Sequence, residues 1–271
     1  MRTRGIVMSI RFRFMFAAAL VVCGVAHGHV QIMVPTAQDG AAASLEVRFV
    51  EHASENGPAL PMGRPQRFGV IVNGKTSDLL PQLTAREIAG QPAWTAAYTM
   101  KEPGAHVFFL QPAPYWEPAE EVMVVHYTKL ILNSCPARLP TASHMGWENW
   151  EGVDALVGFP VEIEPTVQCT SLWTGSAFTG IVRVKGQPAP ACRIEVEYLN
   201  DKGEVKMPDN SYLTHILKTN AQGEFTYVPA RAGWWVMTAI PEASEKGPGP
   251  DGKEVDIEMG GALWIRCVDM K

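Results

Sequence analysis

The chain of 271 residues is 46% hydrophobic and 19% charged, with a formal net charge of -5. That composition supplies a buried core for one large domain or two small ones and excludes an intrinsically disordered chain. No basic stripe accompanies the acidic balance, so the sequence predicts no nucleic-acid partner.

The first 28 residues have the layout of a secretory signal peptide. A basic region without acidic residues is followed by the apolar block MFAAALVVCG (15–24), which is too short to span a bilayer. We therefore predict that residues 1–28 are removed and that the protein is periplasmic. The loss of four arginines takes the formal charge from -5 to -9. An alternative is a lipoprotein, anchored through Cys23 at the end of LVVC.

The sequence leaves two cleavage positions open. Cleavage after Ala26 makes His27 the first residue, and the amine, backbone amides and third-residue imidazole of His-Gly-His suit a square plane around Ni(II) or Cu(II). Cleavage after Gly28 exposes His29, whose amine and imidazole can chelate one ion. Both ends offer nitrogen ligands of intermediate softness, which suit Ni, Co, Cu or Zn.

Most of the remaining chain has the patterns of strands. LEVRFVEH (45–52) alternates between apolar and polar residues, and RFGVIVNGK (67–75) ends in an Asn-Gly turn. A hairpin is predicted from AWTAAYTM (93–100) into AHVFFLQP (105–112). EVMVVHYTKLILN (121–133) is apolar on both faces, which predicts a central strand. A short helix is considered only near 78–88, where Pro81 weakens it.

A domain boundary is predicted near Pro165. Beyond it, short strands alternate with turn residues from FTGIVRVKG (178–186) to GALWIRCVDM (261–270). The predicted fold is all-β. An N-terminal β-sandwich-like domain covers residues 29–165, and a smaller immunoglobulin-like or prealbumin-like β-sandwich covers residues 166–271.

Four cysteines remain after signal removal, and none has the CxxC spacing of a zinc site. In an exported chain, this number predicts two disulfides. The predicted pairs are Cys135–Cys169 and Cys192–Cys267. The alternative is free buried thiols.

No nucleophile or hydrolase motif is present, so the sequence predicts a protein that is not an enzyme. His52 ends an alternating strand, where it is either solvated or a ligand. His126 lies in an apolar strand, where it is either a hydrogen-bonded core residue or a neutral ligand in a buried pocket.

A resemblance to a known family rests on five segments of the sequence. They are AHGHVQIMVP, LEVRFVEH, PMGRPQRFGV, PAPYWEPAEEVMVVHYTKLILN (112–133) and GFPVEIEP. Together they are similar to the periplasmic component of ABC-type cobalt/nickel transport systems, a family of exported β-domains. The resemblance implies that the protein holds Ni(II) or Co(II) beside a membrane transporter. The family pattern of a histidine followed by Gln and an apolar strand matches His29, and the histidines of FVEH and HYTK are His52 and His126.

The predicted metal ligands are therefore His29, His52 and His126, with His27 added if cleavage follows Ala26. Cu(II) and Zn(II) stay open as alternative ions, and the sequence does not indicate the oligomeric state. One alternative function is a copper-dependent exported enzyme, since a start at HGH also resembles lytic polysaccharide monooxygenases. Another is a non-catalytic carbohydrate-binding or adhesion module with exposed tryptophans.

Overall fold

The computed structural model describes residues 29–39, 42–50, 52–55, 59–134, 151–242 and 245–270. The predicted signal peptide, Cys23, His27 and Cys135 lie outside the described residues.

Twenty strands make up the described part of the chain, with two 3-10 turns at Leu80–Gln82 and Asn210–Tyr212. The first ten strands are β1 (Val30–Asp39), β2 (Ala42–Val50), β3 (Ala59–Leu60), β4 (Arg67–Val72), β5 (Lys75–Asp78), β6 (Thr84–Ile88), β7 (Gln91–Thr99), β8 (Gly104–Gln111), β9 (Tyr115–Glu117) and β10 (Val122–Ser134). The others are β11 (Val161–Pro165), β12 (Leu172–Trp173), β13 (Phe178–Val184), β14 (Gln187–Pro188), β15 (Arg193–Tyr198), β16 (His215–Lys218), β17 (Glu224–Tyr227), β18 (Gly233–Ile240), β19 (Glu245–Pro248) and β20 (Glu254–Val268). The all-β prediction is confirmed.

The strands form three sheets. The N-terminal sheet has the order β1-β2-β7-β6, with β3 beside β2. The central sheet has eleven strands, in the order β16-β15-β18-β20-β10-β8-β4-β5, with β12 and β19 beside β20 and β9 beside β10. The C-terminal sheet contains β11, β13 and β14, with β17 beside β13.

Both faces of the central sheet are buried. Because side chains alternate along a strand, Leu130 and Leu132 of β10 pack in a core with the N-terminal sheet, while Val125 and Ile131 pack in a second core with the C-terminal sheet. The prediction that this strand is central is confirmed, since β10 lies between β8 and β20. Its apolar pattern on both faces follows from this position between two layers.

Two local predictions are wrong. The segments at 93–100 and 105–112 do not form a hairpin, because β7 pairs with β2 in the N-terminal sheet and β8 pairs with β10 and β4 in the central sheet. The segment 78–88 forms one 3-10 turn and then β6 rather than a helix. The predicted Asn-Gly turn is confirmed, with positive φ angles of 49° at Asn73 and 70° at Gly74 between β4 and β5.

The sheets do not follow the predicted division at residue 165. In the central sheet, β10 pairs in parallel with β20, so strands from both sides of that residue share one sheet. The division into two domains, at residues 29–165 and 166–271, stays a prediction.

The predicted disulfides are wrong. Cys169, Cys192 and Cys267 are free, buried thiols. Arg193, the residue after Cys192, pairs with Ile240 of β18, whereas Cys267 pairs with Gly233 of the same strand. These positions mark opposite ends of β18, about 23 Å apart at the usual rise per residue, whereas a disulfide requires Cα atoms within about 7 Å.

One buried ion pair joins the central sheet to the C-terminal sheet. The Nζ atom of Lys129 lies 3.2 Å from Oε2 of Glu162, and the two side chains are only 1% and 4% exposed. Burial lowers the pKa of Lys129, and the Glu162 carboxylate opposes that shift. Glu162 also accepts hydrogen bonds from the backbone of Val157 and Gly158. The pair therefore fixes the chain before β11 against β10.

We expect Glu162→Ala to lower the free energy of unfolding by about 3–5 kcal/mol, because it leaves the Lys129 charge buried without a partner. The double variant Lys129→Met/Glu162→Gln should lose much less, because no unpaired charge remains. Urea denaturation of both proteins measures the difference. Equal losses in the two would contradict this account of the pair.

Candidate metal site at His126

His126 lies inside the molecule, on the face of β10 that packs toward the N-terminal sheet, and is 2% exposed. Its neighbour on β20 is Gly260. A Cβ atom at Gly260 would stand 2.4 Å from Cδ2 and 2.9 Å from Nε2 of His126. The imidazole therefore occupies space that only glycine leaves open.

The two ring nitrogens of His126 have different partners. Nδ1 lies 2.8 Å from the backbone oxygen of His29, and Nε2 lies 3.1 Å from Oε1 of Glu258. Because a carbonyl oxygen only accepts hydrogen bonds, the proton belongs on Nδ1. In the neutral ring, the Nε2 lone pair then points at a carboxylate. A cation, either a proton or a metal ion, resolves that repulsion.

Opposing effects set the protonation of the two glutamates nearest His126. Burial raises the pKa of Glu258, but the hydrogen bond and charge of His126, with the charge of Arg193, bring it below its usual value. Glu258 is therefore ionised at neutral pH. Burial raises the pKa of Glu195, and the nearby Glu197 and Glu258 carboxylates add to this effect while Arg193 and His126 oppose it.

His29 lies immediately before β1 and is 6% exposed. Its Nε2 atom lies 3.2 Å from Oε2 of Glu117, a residue of β9. The ring packs against Phe49 and Tyr115, with centroid distances of 5.7 and 5.3 Å. A second histidine–carboxylate pair therefore lies beside the His126–Glu258 pair.

His52 contacts a carboxylate that is already fully engaged. Its Nδ1 atom lies 2.8 Å from Oε1 of Glu197, which also accepts a hydrogen bond of 2.7 Å from the Thr214 hydroxyl. The other oxygen of Glu197 accepts one of 2.6 Å from the backbone N–H of Ala53. Glu197 therefore anchors the segment around His52 to β15.

A small cavity lies among four of these side chains. It has a volume of about 10 Å³ and is lined by His29, His126, Glu195 and Glu197, with Val30, Val236 and Thr238. That volume corresponds to about one water-sized particle. The structure thus brings His29 and His126 together and joins His52 to them through Glu197. Across the residues described, no three His, Cys, Asp or Glu side chains form a ready-made metal-binding group.

Sequence reasoning missed the carboxylates of this site. In β15, the alternation of Ile194 and Val196 with Glu195 and Glu197 is typical of a strand with one solvated face, yet both glutamates are buried. Glu258 belongs to the last strand and is 132 residues from His126 in sequence. No local signal connects them.

An acidic cleft lies outside the His126 site. Its volume is about 400 Å³, and Glu120, Glu242, Asp256 and Glu258 line it together with Arg193 and Lys218. The Glu258 side chain is 27% exposed, so it borders the cleft while one of its oxygens contacts His126. Carboxylates around a cleft raise the local concentration of cations.

Comparison with protein families gives one match. A model described as a domain of unknown function, DUF4198, matches residues 26–243. The chain belongs to this family. The DUF4198 match includes His29, Glu117, His126, Glu195 and Glu197, whereas Glu258 lies beyond it. Comparison with curated proteins gives no match.

Several solved structures show a weak likeness. PorU from Porphyromonas gingivalis is 10% identical with a TM-score of 0.22, over 88% of this chain and 20% of that one. A structure from a 1.5-MDa bacterial ice-binding adhesin is 10% identical with a TM-score of 0.22, over 90% of this chain and 65% of that one. The D00-D0 domain of Intimin is 10% identical with a TM-score of 0.20, over 89% and 100%. The chain thus spans about a fifth of PorU and two thirds of the adhesin structure. Within the described part of this DUF4198 chain, no helix is long and apolar enough to cross a membrane.

The raised pKa of Glu195 predicts a pH-dependent effect of Glu195→Gln. A carboxyl whose pKa is raised by folding stabilises the protein fully below its unfolded pKa and loses that contribution as the pH rises through the folded value. Wild type should therefore lose stability relative to Glu195→Gln as the pH rises from about 4, the ordinary pKa of a Glu side chain, toward neutrality. Thermal unfolding across that range measures the difference.

The control is Glu87→Gln, which removes an exposed carboxylate on β6. Its melting temperature should follow wild type at each pH. A constant offset between wild type and Glu195→Gln would contradict the assignment.

Proposed function

We propose that this protein is a periplasmic metal-binding accessory of nickel or cobalt uptake, in which His126 and Glu258 provide the core of the ion site. One observation carries the proposal. Nδ1 of His126 donates to the backbone oxygen of His29 at 2.8 Å, so Nε2 is the nitrogen that faces Glu258 at 3.1 Å. Metal-binding histidines characteristically donate their other ring N–H to such an acceptor.

The spacing of the two groups suits a shared ion. Metal–nitrogen and metal–oxygen bonds to such ligands are about 2.1 Å, so two ligands at a right angle lie about 3.0 Å apart. The Nε2 to Oε1 distance of 3.1 Å is close to that value, and a shared ion requires the Glu258 carboxylate to turn off the axis of the Nε2 lone pair.

Further ligands would come from the neighbouring groups. His29 and Glu195 border the same small cavity as His126. Cleavage after Gly28 would also give His29 a free amine. That nitrogen would be two bonds from the backbone carbonyl carbon of His29, whose oxygen contacts His126. His52 acts indirectly in this proposal, because its partner Glu197 lines the cavity.

The donor set bears on the ion. Imidazole nitrogen and carboxylate oxygen suit Ni(II), Co(II), Zn(II) and Cu(II), whereas thioether ligands favour Cu(I). Met33 and Met62 are 0% and 4% exposed and belong to the apolar core with the N-terminal sheet, which argues against a thioether site. The choice of Ni(II) or Co(II) over Zn(II) rests on the resemblance to the transport family.

The surroundings of the site support a role in transfer. Glu258 lines the acidic cleft, and its Oε1 atom lies 3.1 Å from Nε2 of His126. The membrane transporter as partner, like the periplasmic location, rests on the sequence resemblance and the signal-peptide pattern.

Calorimetric titration of the processed protein with Ni(II), Co(II), Cu(II) and Zn(II) tests the proposal. We expect His126→Gln and Glu258→Gln each to weaken Ni(II) and Co(II) binding by at least about tenfold, because each removes one ligand. The matched control is His215→Gln, which removes an exposed histidine that contacts Tyr227. Wild-type affinity in both site variants would overturn the proposed site.

A third variant tests the same geometry without removing a ligand. Gly260→Ala places a methyl group 2.4 Å from Cδ2 of His126, which forces the ring to move. We expect weaker Ni(II) binding in a folded protein. A form with one extra N-terminal residue separates the two modes: a loss of binding there, with none in His126→Gln, would assign binding to a terminal chelate alone.

A further inference from the structure

An apolar crevice lies beside β9, where the N-terminal sheet meets the central sheet. Its volume is about 320 Å³. Phe49 of β2 and Met62, which belong to the core with the N-terminal sheet, line it together with Tyr115 of β9. The rings of Phe49 and Tyr115 pack edge to face with a centroid distance of 5.2 Å. Side chains of both sheets therefore contribute to the same apolar surface.

Two proline-containing segments face each other at the mouth of this crevice. Residues 61–63 and 112–114 both line it, and Gly63 is exposed. A Cβ atom at Gly63 would stand 3.7 Å from Cβ of Ala113, which is an ordinary contact distance. Because Gly63 has no side chain, the gap between the two segments stays open. Proline fixes its own backbone φ angle, so these walls are stiff.

One buried polar side chain borders the crevice. Gln31 of β1 pairs with Phe49 of β2, so the two side chains share one face of the N-terminal sheet, and both line the crevice. Gln31 is 4% exposed, and the Thr128 hydroxyl donates to its Oε1 atom at 3.3 Å. Within the described residues, Nε2 of Gln31 has no hydrogen-bond partner.

The Nε2 atom of Gln31 is open to a ligand. In the described part of the chain, the unpaired side-chain atoms that are completely enclosed belong to Arg48, His106, Asn133 and Thr170, and Nε2 of Gln31 is not one of them. Because Gln31 borders the crevice, its amide presents N–H groups there. Buried donors are normally paired, so this amide in an apolar setting calls for an acceptor.

We propose that this crevice binds a small, uncharged aromatic carbonyl compound. Its carbonyl oxygen accepts a hydrogen bond from Nε2 of Gln31, and its ring packs against Phe49 and Tyr115. Among the residues that the structure describes, no charged side chain lines the crevice, which disfavours a charged ligand. The volume corresponds to about ten water molecules, which suits one ring with a short substituent.

Titration of the processed, metal-free protein in EDTA, followed by ligand-observed NMR, tests this binding. Acetophenone carries the ring and the carbonyl, α-methylstyrene has the same shape without the acceptor, and benzoate carries a charge. We expect acetophenone to bind at least about tenfold more tightly than α-methylstyrene, because the latter leaves Nε2 without a partner. Benzoate should also bind at least about tenfold more weakly, because no cation in the crevice offsets the loss of its hydration.

Two variants locate the binding. Gln31→Leu removes the donor at nearly the same side-chain size, so acetophenone should lose its advantage over α-methylstyrene. Gly63→Leu fills the gap opposite Ala113 and should weaken both by at least about tenfold. The matched control is Gln222→Leu, which replaces an exposed glutamine and should bind like wild type. Glu258→Gln, which lacks a proposed metal ligand, should also bind acetophenone like wild type, so the outcome is independent of the metal proposal.

Four results would overturn the proposal. Absence of acetophenone binding up to about 10 mM would mean that water alone occupies the crevice. Equal affinity for α-methylstyrene would mean that Gln31 donates to no ligand atom, and tighter binding of benzoate would contradict an uncharged ligand. Full affinity in Gly63→Leu would place the binding elsewhere. The probe series on wild-type protein decides the question even where a variant fails to fold.

Discussion

The parallel pairing of β10 with β20 is the constraint on which the rest of the structure depends. It joins strands from the two halves of the sequence, and its register places His126 beside Gly260 and two residues from Glu258. Each strand also carries side chains for both cores. Without this ladder the central sheet would separate into two parts, and His126 would lose its carboxylate partner.

Adjacent glycines let other groups approach β20 closely on its two faces. A Cβ atom at Gly260 would collide with the His126 ring, and one at Gly261 would stand 2.7 Å from the backbone oxygen of Val161. Because successive side chains of a strand point to opposite faces, one glycine leaves room for His126 and the other leaves room for β11. A single dipeptide therefore sets the spacing of both layers against the central sheet.

Buried charges divide into two kinds in this protein. Lys129 and Glu162 neutralise each other, and Glu162 accepts further backbone hydrogen bonds, so that pair is complete. The carboxylates around His126 are less balanced, since Glu195 and Glu258 share a single arginine, Arg193, and burial and like charges raise the pKa of Glu195. Burying an unbalanced group of charges costs folding energy, which a bound cation can offset. The difference between the two clusters separates a structural role from a candidate binding role.

The sequence by itself determined the strands, because alternation and turn residues act over a few neighbours. The Leu45–Val47–Phe49 face of β2, the Asn73–Gly74 turn and the two-faced β10 all follow from such local patterns. It also directed attention to His29 and His126, which the structure places in contact. Only the tertiary structure decided which sheet each strand joins, as β7 and β8 demonstrate. The tertiary structure likewise placed Glu258 and Glu195 near His126 and separated Cys192 from Cys267. Pairing between distant strands depends on the packing of whole layers, which no short segment encodes.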